Sequence, residues 1–406
     1  MTATSMTAAA DLRPRRAAPR NAVVGLIGFL TLVDLFATQA LLPTLAKSYR
    51  VSPSAMGVAV NASTIGMAVA GLIVALVSHR LPRRTGVWVA LALLAVPTTL
   101  LAFAPDLTVF AALRVIQGVF MATAFTLTMA YLAEHADAEA TAGALAAYVT
   151  GAVASNLVGR LVASTVASHA GVAANFYVFA GLNLAGAALA FVSLQRAALE
   201  AAPAQAPSPL RRLADHLAVP CLRACFGIGF CVLFAFIGAF TYVNFVLAKA
   251  PISLAPMALG LVYLVFAPSM VTTPIAGRIA SRFGPRPAFW ASLGLACLGL
   301  PLVLVPSLPP IIVGLTLVGV GTFFAQAVAT GFVGRAAKRD RAAASGLYLA
   351  AYYLGGLAGA ALLGLVFERF GWPATVAGVG AALVLAALLA GALRPETAGR
   401  AEARPL

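Results

Sequence analysis

Apolar segments punctuated by Gly and Pro recur along the whole chain, and polar residues gather in the short stretches between them. Twelve segments are long enough to cross a bilayer as helices, at roughly 20 residues per crossing. They fall near residues 21–46, 54–78, 86–104, 107–133, 141–167, 173–195, 218–247, 254–280, 287–306, 309–334, 342–367 and 372–393. A helix satisfies its own backbone hydrogen bonds, which lipid cannot do for it.

The longest polar interruption is RAALEAAPAQAPSPLRRLADH, residues 196–216. It is Ala/Pro-rich and basic, too short for a core of its own, and reads as a linker. The halves it separates are alike. GLIVALVSHRLPRR (71–84) follows the second span and TPIAGRIASRFGPR (273–286) follows the eighth, with Arg80 matching Arg282 and Arg84 matching Arg286. The predicted fold is therefore an all-α membrane protein, its twelve transmembrane helices forming two six-helix pseudo-symmetric bundles. The divisions are a cytoplasmic tail 1–20, an N-terminal bundle 21–195, a linker 196–217, a C-terminal bundle 218–394 and a tail 395–406. Such repeats place a binding site at their interface near the membrane midplane.

Composition sharpens this. Of the 406 residues 62% are hydrophobic and 10% charged, with mean hydropathy +0.97. The net charge of +15 would suggest nucleic acid in a soluble protein. Here topology explains it, and no nucleic-acid partner is expected. With the N-terminus inside, twenty of the 27 Lys and Arg fall on the cytoplasmic side. Only Lys47, Arg50, Lys249 and Arg369 fall outside. The positive-inside rule then puts both termini in the cytoplasm, with the chain in the cell inner membrane. Cys221, Cys225, Cys231 and Cys297 lie in apolar stretches and read as packing residues. No metal or cofactor is expected. No GxxxxGK[ST], HExxH or GxSxG appears, which removes an ATP-driven pump and the common hydrolases. The chain is not read as an enzyme.

Three arginines fall within spans: Arg114, Arg160 and Arg223. A guanidinium in lipid costs several kcal/mol, about 2.5–3.5 on insertion scales. Of twelve acids, only Asp34 lies mid-span. Arg160 has three readings: it serves an anionic substrate, snorkels to the outer interface, or shares Asp34. Arg223 lies close to a span end and reads as snorkelling. Other intramembrane polar residues, Asn61, Asn156, Tyr242, Asn244 and Gln326, read as cavity lining or as ordinary interhelical bonds.

These residues resemble the major facilitator superfamily, and within it the drug:proton antiporter branch. That family's loop between spans two and three reads G-x7-D-R-x-G-R-R. Gly71, Arg80, Arg83 and Arg84 match it, with His79 in the Asp position and Pro82 in the second Gly position. The second copy has Gly277, Arg282, Gly284 and Arg286, with Ser281 in the Asp position. The resemblance implies that these loops act as conformational switches on the inward face. The fourth-span motif R-x-x-Q-G stands intact as Arg114, Gln117 and Gly118. The fifth-span antiporter motif G-x3-G-P-x2-G-G survives as Gly151 and Gly159, with Ser155, Asn156 and Arg160 replacing Gly, Pro and Gly. Gly151, Ser155 and Gly159 form a small-residue face for close helix approach.

In the resembling family, helices one and four line one cavity, so Asp34 is expected to meet and neutralise Arg114. Asp34 and Arg114 are the expected proton-coupling pair; a static ion pair is the competing reading. Asn61, Gln117, Asn156, Arg160, Tyr242, Asn244 and Gln326 are the expected substrate-binding residues. The sequence thus points to a monomeric secondary transporter with protons, a small-molecule substrate and the lipid bilayer as partners, most simply a proton-coupled exporter working by alternating access. Two alternatives stay open: a proton-linked or facilitated carrier of an anionic metabolite, and a transporter-like membrane sensor that binds without turnover.

Overall fold

The first span is a helix with a built-in break. Helix α1 (Ala17–Ala37) passes through a 3-10 turn, Thr38–Leu41, into α2 (Leu42–Tyr49), which has Pro43 in its first turn. The second span is broken too. Helix α3 (Pro53–Asn61) is N-capped by Ser52, whose Oγ accepts from Ala55 N at 3.2 Å, and it stops one residue before α4 (Ser63–Val77). The chain continues as α5 (Arg83–Leu100), α6 (Leu107–Glu134), α7 (Ala138–Ser193), α8 (Pro209–Ala218), α9 (Pro220–Leu247), α10 (Pro256–Val262), α11 (Ala267–Phe283), α12 (Pro285–Gly299), α13 (Leu308–Ala336) and α14 (Arg341–Ala390). This computed structural model describes residues 17–77, 81–134, 138–195, 209–337 and 340–393. His79, Arg80, most of the N-terminal tail, the whole C-terminal tail and the first part of the linker lie outside the described residues.

Among the described residues the structure is entirely helical, and ten helical runs are long and apolar enough to cross a membrane. Two of these, Gly143–Ser193 and Arg341–Ala390, are 51 and 50 residues long, more than twice what one crossing needs. Both are broken by a glycine in the left-handed region, Gly171 at φ 85° and Gly371 at φ 79°. The breaks fall in the gaps expected between the fifth and sixth and between the eleventh and twelfth segments.

Most of the packing falls within α1 to α7 and within α9 to α14, although α3 lies chiefly on α14 and α10 chiefly on α7. Helix α1 runs along α7, and α9 runs along α14 in the same relation. Glycines permit both contacts. A Cβ on Gly151 would lie 1.8 Å from the Gly25 carbonyl oxygen, and one on Gly355 would lie 2.1 Å from that of Phe230. A Cβ on Gly159 would lie 2.6 Å from the Val33 oxygen. Ser155 between them is buried, its hydroxyl donating to its own helix at Ala152 O. The two groups meet through α3 and α4 against α14, and through α10 and α11 against α7.

The basic loops staple each group internally. Arg84 donates to the Phe191 carbonyl, near the end of α7, from Nε at 3.2 Å and Nη2 at 2.5 Å, and its guanidinium lies 4.6 Å from the Phe191 ring. Arg286 donates to the Gly391 carbonyl just past α14, and Trp290 Nε1 donates to Ala387 O at 2.9 Å. These carbonyls are the helix-terminal acceptors that have no intrahelical partner. Arg83 reaches Leu81 O at 3.3 Å, and Arg282 lies over Phe283. Gly284, at φ 90°, sits in a conformation that glycine alone adopts freely and turns the chain into α12.

Candidate functional site

Arg114 is the hub of the fourth crossing. It is buried, and its donors go to five acceptors. Nε donates to Val60 O at 2.9 Å. One terminal nitrogen donates to Asp34 O at 3.3 Å and Gln117 Oε1 at 2.7 Å, and the other to Leu35 O at 2.8 Å and Ser63 Oγ at 3.1 Å. The three carbonyls share one origin. Asp34 and Leu35 lie in the last turn of α1, and Val60 lies just before the break between α3 and α4. Helix ends leave carbonyls without intrahelical donors, so one guanidinium closes two helix breaks at once. Gly118 completes the arrangement: a Cβ there would lie 1.9 Å from Ser63 O. All three residues of R-x-x-Q-G therefore have a defined geometric task.

The carboxylate of Asp34 does not receive the guanidinium directly. Its Oδ2 accepts from Thr98 Oγ1 at 2.9 Å, Asn183 Nδ2 at 2.9 Å and Gln117 Nε2 at 3.3 Å. Among the described residues no donor falls on Oδ1. The expected neutralisation of Arg114 by Asp34 thus takes another form, in which backbone carbonyls hold the cation and Gln117 links it to the acid. The single hydroxyl proton of Thr98 has a second acceptor, Leu94 O at 2.8 Å. The same oxygen accepts from Gln117 Nε2 at 2.7 Å and Asn183 Nδ2 at 3.1 Å. Thr98 and Asn183 complete the acid's surroundings without having been expected there.

A cavity of about 610 Å³ lies between the two groups of helices. Leu35, Phe36, Phe125, Phe236 and Phe323 give it an apolar, aromatic wall, interrupted by Asn156, Gln326, Thr330 and the tyrosines Tyr348, Tyr352 and Tyr353. Its lining reaches Ala130 and Val333, near the ends of α6 and α13, and Arg341 at the start of α14. Of the expected substrate-binding residues, Asn156 and Gln326 line it, whereas Asn61, Gln117, Arg160, Tyr242 and Asn244 are buried elsewhere. Asp34 faces away from it into the network with Thr98 and Asn183.

At the opposite end the two groups are closed on each other. Arg160 donates to Gln39 Oε1 at 2.5 Å, Gln39 Nε2 to Asn61 Oδ1 at 2.9 Å, and Asn61 Nδ2 to Thr241 Oγ1 at 3.3 Å. Ser54 N donates to Glu368 Oε1 at 2.8 Å, which caps α3 from the other half of the chain. Tyr242 donates to Ala360 O, and Asn244 exchanges bonds with Tyr263. Arg160 does not snorkel: it has no exposed surface and lies 4.5 Å from the Tyr263 ring and 5.0 Å from those of Phe36 and Phe266. Arg223, by contrast, is exposed near the start of α9.

A two-part helical membrane fold around a central cavity, closed at one end, is that of a multi-pass transporter. The family model of the Major Facilitator Superfamily matches residues 24–272 and 251–405, and the chain belongs to that family. It is 26% identical to the uncharacterized MFS-type transporter YybF of Bacillus subtilis (strain 168) over 378 residues, covering 90% of this chain and 91% of that one. It is likewise 26% identical to the inner membrane transport protein YnfM of Escherichia coli (strain K12) over 373 residues, covering 89% and 87%. The fold is shared with a bacterial homolog of the human lysosomal transporter Spinster, in an inward-facing and unoccupied conformation, at TM-score 0.70 and 13% identity over 94% of this chain and 95% of that one.

Proposed function

We propose that this protein is a proton-coupled secondary transporter of a bacterial inner membrane, which moves a small molecule outward by alternating access. On this reading the helices broken at Gly171 and Gly371 count as two crossings each, giving twelve in two bundles of six, with both termini cytoplasmic. The 610 Å³ cavity then opens to the cytoplasm, and the Arg160–Gln39–Asn61–Thr241 chain seals the outer end. A state open on one side and sealed on the other is what alternating access requires of one of its two end points. The matches to the family's loop and fourth-span motifs, and the name of the E. coli relative, favour this assignment over a binding-only sensor.

The observation that carries proton coupling is the environment of Asp34. It is a buried intramembrane carboxylic acid whose hydrogen bonds all fall on one oxygen, leaving Oδ1 to take a proton. Intramembrane ionisable groups of this kind mark proton and ion pathways. Arg114 modulates the acid through Gln117 rather than by contact. The direct test is solute-evoked proton movement in proteoliposomes, with wild type and Asp34→Asn compared across a panel of dyes and organic acids. Loss of coupling with retained solute binding is expected. Full coupled transport by the variant removes Asp34 from the mechanism, and a gradient dependence of the opposite sign removes export.

A further inference from the structure

The charges of the described residues around the central cavity have one sign. Among the described residues that line it there is no Asp or Glu, and the one permanently charged side chain is Arg341 at its mouth. The fold's intramembrane acid, Asp34, is turned away. A buried cation, Arg160, stands directly behind the closed end of the cavity. Asn156 and Phe36 both line the cavity and both touch this guanidinium. Arg160 has no exposed surface and, among the described residues, no carboxylate partner and no acceptor for its Nε–H; its terminal nitrogens donate to the Asn156 main-chain oxygen at 2.7 Å and Gln39 Oε1 at 2.5 Å. Aromatic faces and amide oxygens compensate it in part. A buried cation lacking an anion keeps the remainder of its desolvation cost.

The group between Arg160 and the cavity is weakly held. Asn156 Oδ1 accepts from Arg160 at 3.3 Å, and its Nδ2 donates to Ala152 O at 3.3 Å. Both contacts lie at the long limit for hydrogen bonds. Rotation of this amide opens the guanidinium to the cavity, and an incoming anion takes the place of Asn156 Oδ1. We propose that the cavity binds amphipathic organic anions. Their carboxylate or sulfonate is received by Arg160 at the closed end, and their apolar body lies against Phe36, Phe236 and Phe323. The volume suits a molecule of drug size, for which pockets of about 300–1,000 Å³ are usual. Charge-assisted bonds to a guanidinium are about twice as strong as neutral ones, so the acid is favoured over an isosteric amide.

This inference rests on reading the cavity as the transport site, and the two are separable by experiment. Calorimetric titration of the purified full-length protein compares benzoate, 2-naphthoate and octanoate with their carboxamides and with 2-naphthylmethylammonium. At least one acid is expected to bind ten times more tightly than its amide, and the ammonium not at all. Arg160→Gln is expected to abolish the preference and Arg160→Lys to keep part of it. Asn156→Ala, which removes the competing acceptor, is expected to tighten the acid. Equal binding of acids and amides, absence of binding by every acid, or an unchanged preference in Arg160→Gln overturns the proposal. If Arg160→Gln fails to fold, the wild-type comparison and Asn156→Ala still decide. Acid-selective binding without flux in proteoliposomes refutes the transporter and leaves the anion site; flux of neutral and anionic compounds alike does the reverse.

Discussion

Gln117 stands between Arg114 and Asp34, accepting from the guanidinium at 2.7 Å through Oε1 and donating to the carboxylate at 3.3 Å through Nε2. The cation and the acid of the membrane interior are joined by one amide and not by contact. Replacing it with an apolar side chain of similar size, Gln117→Leu, removes this link and also the bond to Thr98. Two or three hydrogen bonds at about 0.5–1.5 kcal/mol each correspond to a loss of roughly tenfold or more. Proton-coupled flux is expected to fall by that factor while the protein stays folded. An unchanged flux–pH profile means that Arg114 and Asp34 act independently.

Arg114 holds carbonyls at two helix breaks, a task that depends on the planar spread of a guanidinium. An ammonium offers three donors from one point, against the five acceptors now satisfied. Arg114→Lys is expected to leave at least two of these buried acceptors without a donor. The purified protein should then lose about 1–3 kcal/mol, seen as a lower thermal unfolding midpoint. A midpoint equal to wild type means that the breaks are held by other contacts.

Gly118 and Gly277 both belong to family motifs, yet their surroundings differ. A Cβ on Gly118 meets the Ser63 carbonyl at 1.9 Å, whereas one on Gly277 meets nothing within 4 Å. Gly118→Ala must push α6 away from the α3–α4 break and is expected to reduce folded yield severely. Gly277→Ala sits within α11 and should be neutral or stabilising by about 0.5–1 kcal/mol. Any loss of transport in Gly277→Ala then reports the other conformation of that loop, and size-exclusion profiles of the two variants separate folding from function.

The sealed end offers a direct test of alternating access. A Cβ on Gly364 would lie 2.6 Å from Ser54 Oγ and 2.2 Å from the Tyr242 hydroxyl, so the two halves approach closely here and a cysteine at 364 is paired with Tyr242→Phe to make room for it. Ser54→Cys with Gly364→Cys, in a background without Cys221, Cys225, Cys231 and Cys297, is expected to cross-link under oxidation. Transport should stop, and reduction should restore it. Continued flux in the fully cross-linked protein shows that this end does not need to open.

Much of the fold could be read from the chain because each crossing is encoded locally, in a run of about 20 apolar residues. The functional interior was legible only where a motif marked it. Arg114, Gln117 and Gly118 announce themselves; Thr98 does not. It lies 64 positions from Asp34 and 85 from Asn183, and in isolation a helical threonine bonded to its own turn looks like packing. Arg160 shows a different limit. Its depth along α7 left snorkelling open, but Tyr263 and Phe266 from the other half of the chain cover it. A contact between halves leaves no periodicity in either. Asp34 and Arg114 do meet, but through the Asp34 carbonyl and Gln117 and not carboxylate to guanidinium, for a related reason: the breaks in α1–α2 and α3–α4 freed carbonyls that no residue pattern advertises.

Thr98 has one proton and two acceptors, the Asp34 carboxylate and the Leu94 carbonyl. It cannot serve both. An ionised Asp34 competes better for the hydroxyl; a proton on Oδ1 weakens Oδ2 as an acceptor and shifts the balance toward the Leu94 carbonyl. On the proposed coupling role of Asp34, its protonation state is carried by the rotation of one O–H bond, with no helix displaced. Rotation about one O–H bond moves no heavy atom, whereas concerted movement of helices takes microseconds to milliseconds. The hydroxyl therefore follows the charge of Asp34 without waiting for the halves to move, and passes it on to Gln117 and Asn183, whose amides share its oxygen.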